Sequence, residues 1–103
     1  MKCAFVVAVV AVTALISEPA IAYTAKGAVP CSEVMVEHYI EGHRDMNRSW
    51  LLGYFTARNL HEDADVGRGV DDELIYDRAY KYCAANLDKS WDDAAHSVYD
   101  NML

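Results

Sequence analysis

Cys3, Cys31 and Cys83 are the three cysteines of this 103-residue chain. How many of them stay with the folded protein constrains its architecture more than any other feature. Cys3 lies ahead of an uncharged apolar run, Ala4 to Ile16, which is too short to cross a bilayer as a helix. Lys2 supplies a small positive start, Glu18 and Pro19 end the run, and Ala20 to Ala22 offers small residues at the two positions a signal peptidase reads. A buried N-terminal helix or a membrane anchor could use the same apolar run, but its flanks favour a signal peptide over residues 1–22, cleaved after Ala22. Cys3 precedes the run instead of following it, so it does not suit a lipobox and would leave with the leader.

The expected mature part, residues 23–103, is one domain of 81 residues. A chain of that length buries only about 60% of its unfolded surface, so its core is marginal and a covalent staple would help. Export also turns three cysteines into two, Cys31 and Cys83, in an oxidising compartment. A disulfide between them would contribute about 4 kcal/mol in the chain-entropy account. A redox-active thiol or a metal-ligand pair is the competing reading, weakened by the absence of a C-x-x-C motif.

Charge separates the classes of partner. Losing Lys2 and Glu18 with the leader leaves eight basic and fifteen acidic side chains and an unchanged net charge of −7. An acidic domain without a basic cluster lacks the phosphate-neutralising charge that supplies most nucleic-acid affinity, so nucleic acid is set aside as a partner. In strong acid, with every carboxylate and all four histidines protonated, the balance becomes +12. That reversal strains the fold by self-repulsion.

Four amphipathic segments separated by polar breakers predict an all-α fold, a small bundle of about four short helices tied by one disulfide. The first runs from Pro30–Ser32 to Gly42, a natural helix terminator, with Cys31, Met35 and Tyr39 at four-residue spacing and Val36 and Ile40 alongside. The second follows the capping candidates Asp45, Asn47 and Ser49 and extends from Trp50 to His61. Its stripe holds Trp50, Tyr54 and Ala57 with Leu51 and Phe55 beside it, and such a stripe is more often core than ligand cradle. Gly53 within it would let another helix approach closely.

The connection from Glu62 to Val70 begins a D-x-D pattern at Asp63 and Asp65. Gly67 and Leu74 then occupy positions where a calcium loop needs ligands, so a solvated loop is the better reading. Asp71 or Asp72 caps the third helix, which turns Leu74, Ile75, Ala79, Tyr82 and Cys83 inward and ends with Asn86 in the left-handed conformation. The fourth starts at Ser90 in a capping-box arrangement with Asp93 and presents Trp91, Ala94, Ala95, Val98 and Met102. In this arrangement a Cys31–Cys83 bridge would pin the entrance of the first helix to the last turn of the third.

His38, Glu41 and His43 are the nearest approach to a metal cluster. They match neither H-E-x-x-H nor H-x-x-E-H, and a surface or hydrogen-bonded histidine is the simpler reading. No nucleophile elbow and no glycine-rich phosphate loop occurs. The expectation is therefore a protein without enzymatic activity, metal or cofactor.

The chain resembles the HdeA/HdeB-type periplasmic acid-stress proteins in its leader, its size, "CSEVM" opening the first helix, the central "WLLGY", and "YC" followed by "AANLDKSWDDAA". That resemblance spans most of residues 31–103 and matches Cys31 and Cys83 to the family's disulfide pair. It implies a small helical periplasmic protein, dimeric when neutral, that loosens in acid and shields unfolded clients from aggregation. The chain lacks the lysine-rich helical end of those chaperones. On this reading Trp50, Leu51, Tyr54 and Phe55 form the client or dimer surface, with no membrane anchor once the leader is cleaved. A fainter similarity, carried by "GYFTARN" and "YCAANL", is to Rap1a/Tai-type immunity proteins, which block a periplasmic toxin enzyme. Under that alternative the acidic loop 62–72 would be the inhibitory element.

Overall fold

The computed structural model describes residues 27–103, so the expected leader and Cys3 lie outside the described residues. Four helices follow one another: α1 (Cys31–Glu37), α2 (Glu41–Glu62), α3 (Asp72–Ala85) and α4 (Trp91–Asn101). No strand occurs among the described residues; a single antiparallel bridge pairs Pro30 with Ser90. The all-α bundle and its disulfide are as the sequence predicts.

Three ties hold α1, α3 and α4 together. Cys31 and Cys83, both fully buried, form a disulfide with their Cα atoms 4.8 Å apart. Cys31 N–H donates to the Lys89 carbonyl at 2.9 Å, and Trp91 N–H donates to the Val29 carbonyl at 2.8 Å. These reciprocal bonds satisfy donors at the starts of both α1 and α4, which would otherwise be left without intrahelical partners. The short connection 86–90 closes the unit. α4 begins with the capping box expected from its sequence: the Asp93 carboxylate accepts from Ser90 N–H at 3.1 Å and from the Ser90 hydroxyl at 3.0 Å. Asp71 caps α3 by accepting from Glu73 N–H at 2.9 Å.

The core contains Cys31 and Val34 of α1, Leu51 and Phe55 of α2, Ile75, Tyr76, Ala79 and Cys83 of α3, and Trp91, Ala94, Ala95, Val98 and Tyr99 of α4. Its larger polar side chains bring their own partners. Trp91 Nε1–H donates to the Asn47 carbonyl at 2.9 Å, and the Tyr99 hydroxyl donates to Asn59 Oδ1 at 2.7 Å. Burial without such bonds would forfeit the hydration of each group.

Several local expectations are corrected. α1 ends at Glu37, where the N–H groups of Tyr39 and Ile40 bond back only three residues and close the helix as a turn. Gly42, predicted to terminate that helix, instead lies in the first turn of α2. The stretch 43–49, predicted to separate two helices, is helical. Tertiary contacts outweigh its polar composition: Asn47 is buried against Glu37 and Trp91, while Arg44 and Arg48 pair with Glu73 of α3. Val34 replaces Val36, Tyr39 and Ile40 as the inward residue of α1. Tyr76 is buried in place of the predicted Leu74, and Asn86 has φ −141°, outside the left-handed region. Left-handed backbone ends α2 instead, at Asp63 (φ 53°). Gly53 meets no neighbouring atom within 4 Å, so it permits no close helix approach.

Candidate functional site

The predicted α2 stripe divides between core and margin. Leu51 and Phe55 are buried; Trp50 and Tyr54 are half-buried beside them, and Ala57 faces solvent. Phe55 packs edge-on against Tyr99 at 5.1 Å, and Gly67 (φ 90°) lays the following loop directly over Phe55 and Ile75. The four residues proposed as a client or dimer surface thus lie together on α2, with the larger part of their apolar area turned inward.

α2 is held over the core by polar contacts concentrated near its two ends. At its beginning, Arg44 Nη2 meets Glu73 Oε1 of α3 at 3.0 Å; Arg48 binds the other oxygen of Glu73 and also reaches Asp45 at 2.8 Å. Toward its end, Arg58 lies over the Tyr99 ring at 4.1 Å and pairs with Glu62 at 2.7 Å and with Asp100 of α4 at 2.8 Å. Burial opposes the Arg58 charge, but its hydrogen bonds to Glu62 and Asp100 outweigh that and raise its pKa further. Between the two ends, the Tyr54 hydroxyl shares a hydrogen bond with His96 of α4 at 3.0 Å, and His96 lies 3.2 Å from Asp100.

The loop after α2 is fastened from within. Asn59 donates to the Val66 carbonyl at 3.0 Å, accepts from Val66 N–H at 2.9 Å, and accepts the Tyr99 hydroxyl. One amide thereby sets the path of the acidic loop 62–72. Asp65 is also spanned by Arg68 at 3.5 Å.

A second feature occupies the α1–α2 corner, an open cleft of about 760 Å³ lined by His38, Tyr39, Glu41, Arg44, Asp45, Arg48 and Glu73. His38 stacks on Tyr80 at 4.0 Å and on Tyr76 at 5.8 Å, and its Nδ1 is hydrogen-bonded to the Tyr76 hydroxyl at 2.9 Å. Burial lowers the His38 pKa, the nearby Arg44 charge lowers it further, and Asp77 partly offsets both. His43 instead turns toward Glu37 at 3.7 Å, so His38 and His43 serve different contacts. No group of three His, Cys, Asp or Glu side chains among the described residues is arranged to hold a metal ion.

The sequence pattern does not reveal Arg58, Asp100 and Glu73 as fasteners. The Arg58–Glu62 and His96–Asp100 pairs, at four-residue spacing, carry the local signals. Comparison with known proteins adds no relative: no protein-family model, no curated protein and no solved structure matches the chain.

Proposed function

We propose that this is an exported acid-stress protein, acting in the periplasm as a chaperone-like binder that uncovers the apolar face of α2 at low pH. The carrying observation is the unequal fastening of the bundle. α1, α3 and α4 are joined by a disulfide and paired backbone bonds, whereas α2 has no covalent tie and is fixed to α4 by the Trp91–Asn47 and Tyr99–Asn59 hydrogen bonds and to α3 and α4 by ion pairs to the Glu73 and Asp100 carboxylates.

Protonating those carboxylates together with Asp45 and Glu62 removes the charge partners of Arg44, Arg48 and Arg58. Positive charge then accumulates and the helices repel. α2 swings outward and presents Leu51 and Phe55 together with Trp50 and Tyr54, apolar surface that acid-unfolded clients also expose. The Cys31–Cys83 bond, spanning 52 positions around α2, keeps the opened chain compact. Protein without enzymatic activity or cofactor suffices for this role.

Light scattering of an acid-denatured client, with and without the oxidised protein, tests the proposal. Suppressed aggregation in acid and none at neutral pH is the expected result; unchanged scattering at every acidic pH overturns it.

A further inference from the structure

Eight large apolar side chains stand exposed on the described surface, and four of them fall within eleven consecutive residues of the α1–α2 corner: Val36 (64% exposed), Tyr39 (80%), Ile40 (46%) and Met46 (69%). The others, Leu60, Leu74, Leu87 and Leu103, are dispersed along the chain. Scattered apolar residues are ordinary on a protein surface, whereas four exposed on one short stretch make a candidate contact site. Tyrosine and methionine are also among the residues enriched at interfaces.

The corner carries a charge pattern that selects its partner. Glu33, Glu37, Glu41 and Asp45 recur every four residues through it. Arg44 and Arg48 also line the corner, and both guanidiniums are directed to Glu73. Glu37 is engaged by Asn47, and Asp45 by Arg48. Glu33 and Glu41 are exposed. An apolar centre with an acidic rim repels a second copy of this acidic chain and complements a surface of opposite charge.

We propose that the α1–α2 corner docks onto another protein whose apolar contact patch is ringed by lysine and arginine. Val36, Tyr39, Ile40 and Met46 fill the centre, while Glu33 and Glu41 meet the partner's cations at the rim. This surface is distinct from the α2 face uncovered in acid. It is available at neutral pH with the bundle closed, so it stands or falls independently of the chaperone proposal.

The test uses the full oxidised chain, isotope-labelled, at neutral pH, with an amphipathic leucine–lysine peptide as probe and a leucine–glutamate peptide as its counterpart. Saturable amide shifts centred on residues 36–46 are expected with the lysine peptide, weakening as salt is raised. The glutamate peptide should bind at least about tenfold more weakly, a difference of about 1.4 kcal/mol. Two exposed-site variants, Val36→Ser/Tyr39→Ser and Glu33→Gln/Glu41→Gln, should each reduce affinity while retaining wild-type far-UV dichroism. No saturable binding, shifts centred on loop 62–72 or elsewhere, equal binding of both peptides, or corner shifts that follow the protein's own concentration would each overturn the proposal.

Discussion

Arg58 of α2 places Nη2 2.8 Å from Asp100 of α4 while its guanidinium lies over the ring of Tyr99, Asp100's neighbour in sequence. One side chain thereby joins two helices through charge and through stacking. The arginine is 19% exposed but Asp100 is 42% exposed, so solvent screens the charge pair in part and the stacking on Tyr99 adds to it. Asp100→Asn, which copies the protonated carboxyl without changing its shape, should cost about 0.5–1 kcal/mol. It should also shift acid-induced binding of an apolar dye toward neutral pH. Chemical denaturation and dye fluorescence across a pH series measure both effects; an unchanged opening pH would show that α2 is retained by other contacts.

His38 gives the fold a second, milder sensitivity to acid. Its pKa is lowered by burial and by Arg44, so the unfolded chain takes up the proton before the folded one does. Stability from keeping His38 neutral is complete above the unfolded value of about 6.5 and is lost as pH falls from there through the lower folded value. Protonation would add positive charge facing Arg44 and leave the Tyr76 hydroxyl to act as acceptor. His38→Gln should flatten the fall in urea midpoint between neutral pH and pH values just below the unfolded one. A slope identical to wild type would contradict this assignment.

The Cys31–Cys83 bond should contribute about 4 kcal/mol by limiting the unfolded chain. Cys31→Ser/Cys83→Ser should lower the urea midpoint accordingly, and mass spectrometry of the native protein before and after reduction should register a gain of two hydrogens. Free thiols at both positions in protein recovered from its own compartment would contradict the bond.

Two glycines should respond in opposite directions. Gly53 lies inside α2, and a Cβ added there would meet nothing within 4 Å, so Gly53→Ala should stabilise by about 1 kcal/mol through helix propensity. Gly67 has φ 90°, and an added Cβ would come within 3.3 Å of Ile75 and Phe55. Gly67→Ala should therefore destabilise by about 1–2 kcal/mol or more. Thermal melting of both variants decides the matter; a stabilised Gly67→Ala would mean that the loop does not bear on Phe55.

Asn59 and Asn47 show why part of this architecture is illegible in the chain. Each is a polar residue in an amphipathic pattern, and nothing local indicates that one holds Val66 and Tyr99 while the other receives the Trp91 indole. Their partners lie 7, 40 and 44 residues away. The same holds for Glu73, which collects Arg44 and Arg48 from across the bundle. The exposed corner is hidden for the opposite reason: Val36, Tyr39 and Ile40 have core-like chemistry at helical spacing, but α1 buries Cys31 and Val34 and leaves Val36 outside, and its early end puts Tyr39 and Ile40 in the turn beyond it.

By itself, the sequence determined those features whose causes are local. Apolar residues at helical spacing made the helices, Ser90 with Asp93 and Asp71 with Glu73 started two of them, and two cysteines within a small helical chain supplied the natural staple. Tertiary structure alone decided that residues 41–62 form one uninterrupted helix, which side of α1 is buried, and which carboxylates fasten α2. Those outcomes depend on side chains remote in sequence competing for the same burial and charge, and a local pattern contains no record of that competition.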